Sequence, residues 1–405
     1  MYIKEAKARV IKNSRKERTI EVKFKTNNGF FICSAPSGKS KGKNEVIDFN
    51  KKGVRYSVKL ANIFLKILKN KEVKFSSIED LRKIEFILKE FEKNNEILGG
   101  NVWYAIEGAL LKAAAKEKNI ELYEFLLNGE KPKIPLPIGN AVGGGLHTRT
   151  HKKKPDFQEF LFIAKEEKIQ KAISKNILAY FDVRLKIRWK EKKFFLKTND
   201  ENALICSLSN HEILEIMRDV AKHFDLRIGV DVASSNFFDG KNYDYKNKRF
   251  LRSREEQNEY ISDLISEFDL FYVEDPFHEE DFLSFSSLLN FVKKNKKDCL
   301  IVGDDLTTTN LERVKKAYYQ KSINAVIIKP NQIGSLLEVK KVCDFCKKNN
   351  IKIIFSHRSG ETKDNILADY AVGFGADFIK TGLYGKERLV KLKRLIDIQK
   401  RIHKV

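Results

Sequence analysis

The sequence is poor in the residues that staple small secreted folds or cross membranes. Only five of its 405 residues are cysteine (33, 206, 299, 343 and 346), an odd count with no disulfide-rich pattern, which excludes a disulfide scaffold. Cys343-Asp344-Phe345-Cys346 is a lone CxxC inside a predicted helix from Ser335 to Lys348. It has no second pair to complete a zinc site and does not open the helix, where a thiol would be activated. All five therefore read as reduced structural thiols. No run of about 18 apolar residues occurs, so no membrane span is expected. Met1-Tyr2-Ile3-Lys4-Glu5 lacks the apolar core of a secretory leader and reads as strand, so cytoplasmic residence is expected. Prolines number only seven, and three fall in Lys131-Pro132-Lys133-Ile134-Pro135-Leu136-Pro137. That cluster marks a stiff linker or first strand and divides the chain into 1–130 and 131–405.

Lysine is what the chain has in excess. The net charge is +23, with 42% hydrophobic and 33% charged residues, as in a soluble protein long enough for two domains. So basic a chain invites a nucleic-acid partner. However, the lysines are spread along the whole sequence among 55 acidic residues, and abundant Lys, Asn, Ile and Phe also follow from AT-rich coding. Nucleic acid is accordingly not expected, although a positive field helps to gather a small anionic substrate.

The first 30 residues alternate as strands: Thr19 to Phe24 shows period two, and Asn27-Asn28-Gly29 supplies a hairpin turn. A Gly- and Lys-rich loop, Ser37 to Lys43, follows. Helical patterns run over Tyr56–Leu68, Ile78–Asn94 and Asn101–Lys118, so this part reads as an α+β unit. Beyond the prolines, short apolar runs alternate with helical segments. Leu226–Val232, Leu270–Val273, Leu300–Val302, Ala325–Ile328, Ile351–Phe355 and Phe378–Ile379 are the runs expected of parallel strands buried on both faces. They argue for a barrel or an open α/β sheet.

Each run ends in a reactive group: Asp231, Glu274, Asp304, Lys329, His357-Arg358 and Lys380, at intervals of 23 to 43 residues. In a closed barrel the strand C-termini converge, so these groups line one mouth. Asp231, Glu274 and Asp304 are hard oxygen ligands of the kind Mg²⁺ takes. The competing explanation is that each acid caps a helix. A lysine at such a strand end, near metal charge and a second lysine, should have a lowered pKa and act as a base; a plain salt bridge is the alternative. In Phe355-Ser356-His357-Arg358-Ser359-Gly360-Glu361-Thr362 a guanidinium stands beside a hydroxyl, with a helix expected to follow. That combination suits phosphate.

These motifs resemble those of enolase, phosphopyruvate hydratase, over nearly the full chain. The matching stretches are Gly229 to Ser235, Val273-Glu274-Asp275-Pro276-Phe277, Val302 to Thr307, Ile328 to Ser335, Ser356 to Thr362 and Ile379-Lys380-Thr381-Gly382. Pro36-Ser37-Gly38, Leu98-Gly99-Gly100-Asn101 and Phe157-Gln158-Glu159-Phe160 also fit. The resemblance implies an α/β fold, with an N-terminal α+β capping domain followed by a modified (β/α)₈ barrel whose first hairpin departs from strict alternation. It implies reversible dehydration of 2-phosphoglycerate to phosphoenolpyruvate. By the same resemblance, Asp231, Glu274 and Asp304 hold the first Mg²⁺ and Ser40 the second. Lys329 is the base at C2, Glu201 the acid for the departing hydroxyl and Glu159 its partner. A Glu beside another carboxylate is expected to have a raised pKa. Lys380 and His357 contact the substrate, Arg358 and Ser359 hold its phosphate, and His147 and Gln158 face it from loops. A homodimer is the family expectation.

The sequence departs from the family at its loops. A lid usually written Ser-Gly-Ala-Ser-Thr-Gly reads Ser37-Gly38-Lys39-Ser40-Lys41-Gly42. The usual Gly-Asp-Glu-Gly-Gly reads Asn199-Asp200-Glu201-Asn202-Ala203, and losing both glycines restricts φ at a tight turn, leaving Glu201 open to displacement. The loop His147 to Lys154 is longer than usual, so His147 and His151 compete for one role, and Gly385-Lys386-Glu387-Arg388 shortens the stretch after Lys380. Two rivals follow: a paralogue acting on another acidic hydroxy compound, and a non-catalytic binding protein on the same fold.

Overall fold

The computed structural model describes residues 1–39, 42–148, 153–191 and 197–403. The chain opens with three antiparallel strands, β1 (Glu5–Lys12), β2 (Arg18–Thr26) and β3 (Gly29–Ser34). Alternation in β2 buries Ile20, Val22 and Phe24 on one face while Lys23 and Lys25 point outward. Helices α1 (Val54–Leu68), α2 (Leu81–Asn94), α3 (Gly100–Glu117) and α4 (Leu122–Leu127) follow. α3 is buried almost all round, as its Ala-rich run dictates for a helix wedged between the sheet and the second unit. Gly108 makes that wedge possible: a Cβ there would lie 2.6 Å from Cys33 Sγ and 2.8 Å from the Tyr370 hydroxyl.

The second unit is a closed barrel. Its strands are β4 (Leu136–Gly143), β5 (Glu159–Ala164), β6 (Leu226–Asp231), β9 (Tyr272–Glu274), β10 (Leu300–Gly303), β11 (Ala325–Ile328), β12 (Lys352–Ser356) and β13 (Phe378–Lys380). A small hairpin, β7 (Tyr243–Tyr245) and β8 (Phe250–Arg252), lies outside it. β5 runs antiparallel to both β4 and β6, and every other pairing is parallel. The expected departure from alternation is thus present. The outer helices are α5 (Ile169–Lys190), α6 (Asn210–Phe224), α7 (Arg254–Phe268), α8 (Phe282–Lys294), α9 (Leu311–Tyr319), α10 (Leu336–Lys348), α11 (Ile366–Gly373) and α12 (Lys386–Ile402).

Ile138, Leu161, Ile163, Phe271, Val302, Ile327 and Ile354 fill the barrel interior as a separate apolar cluster. That cluster is the floor beneath the mouth. The two units are pinned by polar contacts: Asp364 accepts from the Ser34 amide at 3.0 Å and from Lys112 at 2.8 Å, and Asn331 donates to Asn101 at 3.0 Å. Among the described residues no helix is long and apolar enough to cross a membrane. All five cysteines are buried and unpaired, and burial pushes the Cys346 thiol up to about 12.

Candidate active site

Strand register assembles the mouth. Because β5 runs against β6, its first residue, Glu159, lies opposite Asp231, and Asp231 in turn pairs with Glu274 on β9. Three carboxylates from three neighbouring strands therefore stand in one row. Asp304 follows β10, Lys329 follows β11, and His357 comes directly after β12, while Lys380 closes β13. Gly38, Lys39, His147, Gln158, Glu159, Glu201, Asp231, Lys329, His357, Arg358, Ser359 and Lys380 line one small cavity at this end.

The two lysines are ion-paired. Lys380 Nζ lies 2.7 Å from Glu274, 2.9 Å from Glu159 and 3.4 Å from Asp231, and Lys329 is bonded to Asp304. Burial alone would push both lysines down. For Lys329 the charge of Asp304 outweighs it; for Lys380 the charges of Glu159, Glu274 and Asp231 do, so both are held up. This corrects the expected lowered lysine: the carboxylates here stand nearer than any positive neighbour. The acids show the reverse side of the crowding. Burial raises Glu274 and Asp231, with like charge from neighbouring acids adding to it, whereas Lys329 overcomes the same burial at Asp304 and holds it down.

A cation has a fitting receptor here. Glu274 Oε2 is bonded to the Tyr272 hydroxyl and to Lys380, yet its Oε1 is buried with no hydrogen-bond partner. Hard carboxylate oxygens around an unpartnered one are the donor set that Mg²⁺ takes. The three expected ligands are not drawn to within 4.8 Å of one another. Among the described residues the sets that close this far are Asp275, Asp304 and Asp305, and His147, Glu159 and Glu201. Ser40, expected at a second ion, and His151 lie outside the described residues.

His147, Glu159 and Glu201 form the second group. His147 Nδ1 lies 3.4 Å from Glu159 and 3.6 Å from Glu201, and His357 Nε2 is 3.7 Å from Glu201. Burial pushes Glu201 up, but His147, Arg388, Lys380 and a hydrogen bond from Glu159 hold it down to about 2. The expected raised value is therefore corrected: cations, not carboxylates, dominate its surroundings. Burial would lower His147, and the two glutamates raise it instead; His357 is held well below its ordinary value by burial and by Arg388. Glu201 is not displaced by the loss of the loop glycines. Asn202 takes the left-handed conformation (φ 64°) itself, as asparagine does with little strain, and Asn199 Oδ1 accepts the amides of Glu201 and Ala203 at 2.9 and 3.0 Å.

Arg358 and Ser359 stand together, both buried. A Cβ on Gly38 would lie 1.9 Å from the Arg358 guanidinium, so any larger residue in the lid would have to push that side chain aside. Arg358 is also paired with Glu45 at 2.9 Å, and Ser359 Oγ accepts from Arg15 at 2.6 Å. No helix follows at once: α11 begins at Ile366, so its N-terminus does not adjoin Ser359. The intervening residues instead bridge to the lid, with Ser37 and Gly360 exchanging backbone bonds at 2.8 and 2.9 Å.

Sequence reasoning gathered the strand-end residues, His147, Gln158 and Glu201; Gln158 donates to Asp231 at 3.1 Å. It missed Glu45, Tyr272 and Arg388. Tyr272 had a usable signal, since it lies two positions before Glu274 on one strand and so shares its face. Arg388 had another: with Lys391 and Arg394 it forms an i, i+3, i+6 row of cations on one face of α12, the first two buried and Arg394 half-buried.

Comparison with known proteins agrees with this geometry. Residues 3–126 match the family model for the enolase N-terminal domain, and residues 131–405 match that for the enolase C-terminal TIM barrel domain. The chain is 39% identical to the enolase of Methanosphaera stadtmanae, covering 99% of this chain and 97% of that protein. Identity is 37% to the enolase of Methanothermobacter thermautotrophicus over the same shares, and 38% to that of Pyrobaculum aerophilum over 98% and 96%. Matched from end to end by both domain models and by these relatives, the chain belongs to the enolase family.

Proposed function

We propose that this carbon–oxygen lyase is Mg²⁺-dependent and dehydrates 2-phospho-D-glycerate to phosphoenolpyruvate, reversibly, in glycolysis and gluconeogenesis. The observation that carries this reading is the meeting, in one cavity, of a lysine beside carboxylates, a His–Glu–Glu group and an Arg–Ser pair. Those are the three devices that an α-proton, a departing hydroxyl and a phosphate require. Family membership supports a cytoplasmic homodimer or higher homo-oligomer, and a division into an N-terminal capping unit, 1–130, and a catalytic barrel, 131–405.

In this reading Asp231, Glu274 and Asp304 would hold the cation, and Ser40 a second one. Bound there, Mg²⁺ supplies positive charge against the negative charge that builds on the substrate carboxylate. Lys329 takes the proton at C2. For this it must leave Asp304; burial, Arg358 and Lys380 then all favour its neutral form. Lys380 and His357 orient the carboxylate end, while Arg358 and Ser359 grip the phosphate. The proton for the leaving hydroxyl is delivered by Glu201, with Glu159 as its partner acid and His147 beside both. His147 and Gln158 wall the substrate off from the loop side.

The test is phosphoenolpyruvate formation from 2-phosphoglycerate by the purified protein, with and without Mg²⁺. Turnover that needs the ion is expected. Absence of turnover at any Mg²⁺ concentration would remove the proposal.

A further inference from the structure

Among the described residues Arg388 is the largest fully buried side chain. It stands in the first turn of α12, where a cation opposes the helix dipole and a negative charge would be favoured. Its hydrogen bonds go instead to backbone carbonyls of two separate loops. The guanidinium donates to Arg358 O at 3.0 Å, to Ser359 O at 2.8 Å and, at the far limit of 3.5 Å, to Asp200 O. Among the described residues it forms no ion pair. Buried charges are normally paired, because removing one from water is costly unless something offsets it. Three carbonyl dipoles offset part of that cost, and the positive potential that remains spreads over what surrounds it. It reaches both Glu201 and His357, lowering each.

Placement gives this charge a purpose. The carbonyls it holds belong to the two residues of the Arg–Ser pair and to the residue before Glu201. One side chain thus ties the anion-gripping loop to the proton-handling loop. Neither segment is regular secondary structure: residues 357–365 run without helix or strand between β12 and α11, and Asp200 lies in a turn. Such segments hold their shape only through bonds of this kind. A planar fork holds its donors in fixed directions and so fixes two adjacent carbonyls relative to each other, whereas the three donors of a lysine turn on a flexible stem.

We propose that Arg388 is a positioning residue for the phosphate group of the substrate, presenting Arg358 and Ser359 in gripping geometry and supplying unpaired positive charge behind them. The inference rests on the phosphate-gripping role given to Arg358 and Ser359 in the proposed function. Arg388 does not touch the substrate; it acts through the backbone of residues that do.

The experiment measures inorganic phosphate binding by calorimetry, alongside steady-state kinetics on 2-phosphoglycerate, for the whole protein and for Arg388→Gln, Arg388→Lys and Arg358→Gln. Loss of charge-assisted bonds predicts that Arg388→Gln weakens phosphate binding and raises KM about 10- to 100-fold, with kcat falling less. Arg388→Lys, keeping the charge without the fork, is expected to recover part of the phosphate affinity. Far-ultraviolet circular dichroism should match wild type in both. If Arg388→Gln folds and binds phosphate as wild type does, the proposal is overturned. If that variant does not fold, Arg388→Lys decides: wild-type phosphate affinity overturns the proposal, and a several-fold loss in a folded protein supports it. Should Arg358→Gln bind phosphate unchanged, the gripping role itself is wrong and the Arg388 inference falls with it. Weak binding by Arg358→Gln beside normal binding by Arg388→Gln overturns only the Arg388 inference.

Discussion

The two ends of one barrel have opposite characters. The floor is made of Ile138, Leu161, Ile163, Val302, Ile327 and Ile354, apolar side chains that bury area and ask for no partner. At the strands' other end the mouth holds Asp231, Glu274, Asp304 and Lys380, all buried, and the half-buried Lys329, each dependent on the others. Buried charges of this kind contribute little net stability. The contrast teaches where each property resides: the floor holds the barrel closed, and that rigidity lets the mouth keep charges that would otherwise repel or hydrate. A pair such as Ile327 with Lys329, two positions apart, belongs half to each.

The sharpest way to break the comparison is to remove the base. Lys329→Ala is expected to lower kcat by about 10²- to 10⁴-fold, the usual worth of a general base, while the apolar floor stays intact. Circular dichroism and turnover measured on one preparation check this. Equal turnover in the variant would strip Lys329 of the role. The complementary change, Ile354→Ala on the floor, is expected to cost about 2–5 kcal/mol of stability through lost burial and a residual cavity. Its kcat at low temperature should remain near wild type, read from urea unfolding beside initial rates. If it abolished turnover without destabilising the fold, floor and mouth would not be separable.

A smaller effect tests the cost of the mouth. Burial and neighbouring acids raise Asp231, so its ionised form opposes folding at neutral pH. Asp231→Asn should therefore raise the melting temperature in Mg²⁺-free buffer by a few degrees, about 1 kcal/mol for a chain of this size, while losing turnover. The sign follows from the raised acid. Below the ordinary carboxylate range Asp231 is protonated folded or unfolded, and the variant gains nothing. The gain grows as pH rises through the folded value and is complete above it. A variant no more stable than wild type at neutral pH would show that Lys380 fully compensates the acid.

Most of the barrel was legible because each strand writes its own evidence locally, as an apolar run ending in one charged residue. Closure does not follow from those six runs, which suit an open sheet equally; the family resemblance implied it, and β4 and β5 complete the ring. What the sequence did not disclose is which charge faces which. Lysine at a strand end reads as a free base with a salt bridge as the alternative, and only the close approach of Asp304 to Lys329 shows the second. Glu201 looked like an acid beside an acid, yet His147 and Arg388 come from residues 54 before and 187 after it and reverse its shift. The missing loop glycines looked disruptive because φ preference was weighed without Asn202, which tolerates the same conformation. The helix expected after Ser359 begins only at Ile366, since Ser37 and Gly360 pair across the lid before the chain can turn helical.

The lid offers the finest test of the contrast, because there a mouth charge lies close to solvent. Lys39 Nζ is 2.8 Å from Asp200 Oδ2, joining the lid to the loop that carries Glu201. Its side chain is 17% exposed and that of Asp200 37%, so water and salt screen the pair as they do not screen Lys380. Exposed pairs are worth about 0.2–1 kcal/mol, which corresponds to roughly a 1.5- to 5-fold change in an equilibrium. Lys39→Met should therefore leave the melting temperature nearly unchanged and raise KM by roughly that factor, through a less populated closed lid. Asp200→Asn should do the same, and the double variant should be no worse than either alone, because both remove one interaction. Raising ionic strength should close the gap between variant and wild type. Additive effects in the double variant, or a gap that persists in high salt, would mean that Lys39 meets the substrate itself and belongs with the buried charges of the mouth.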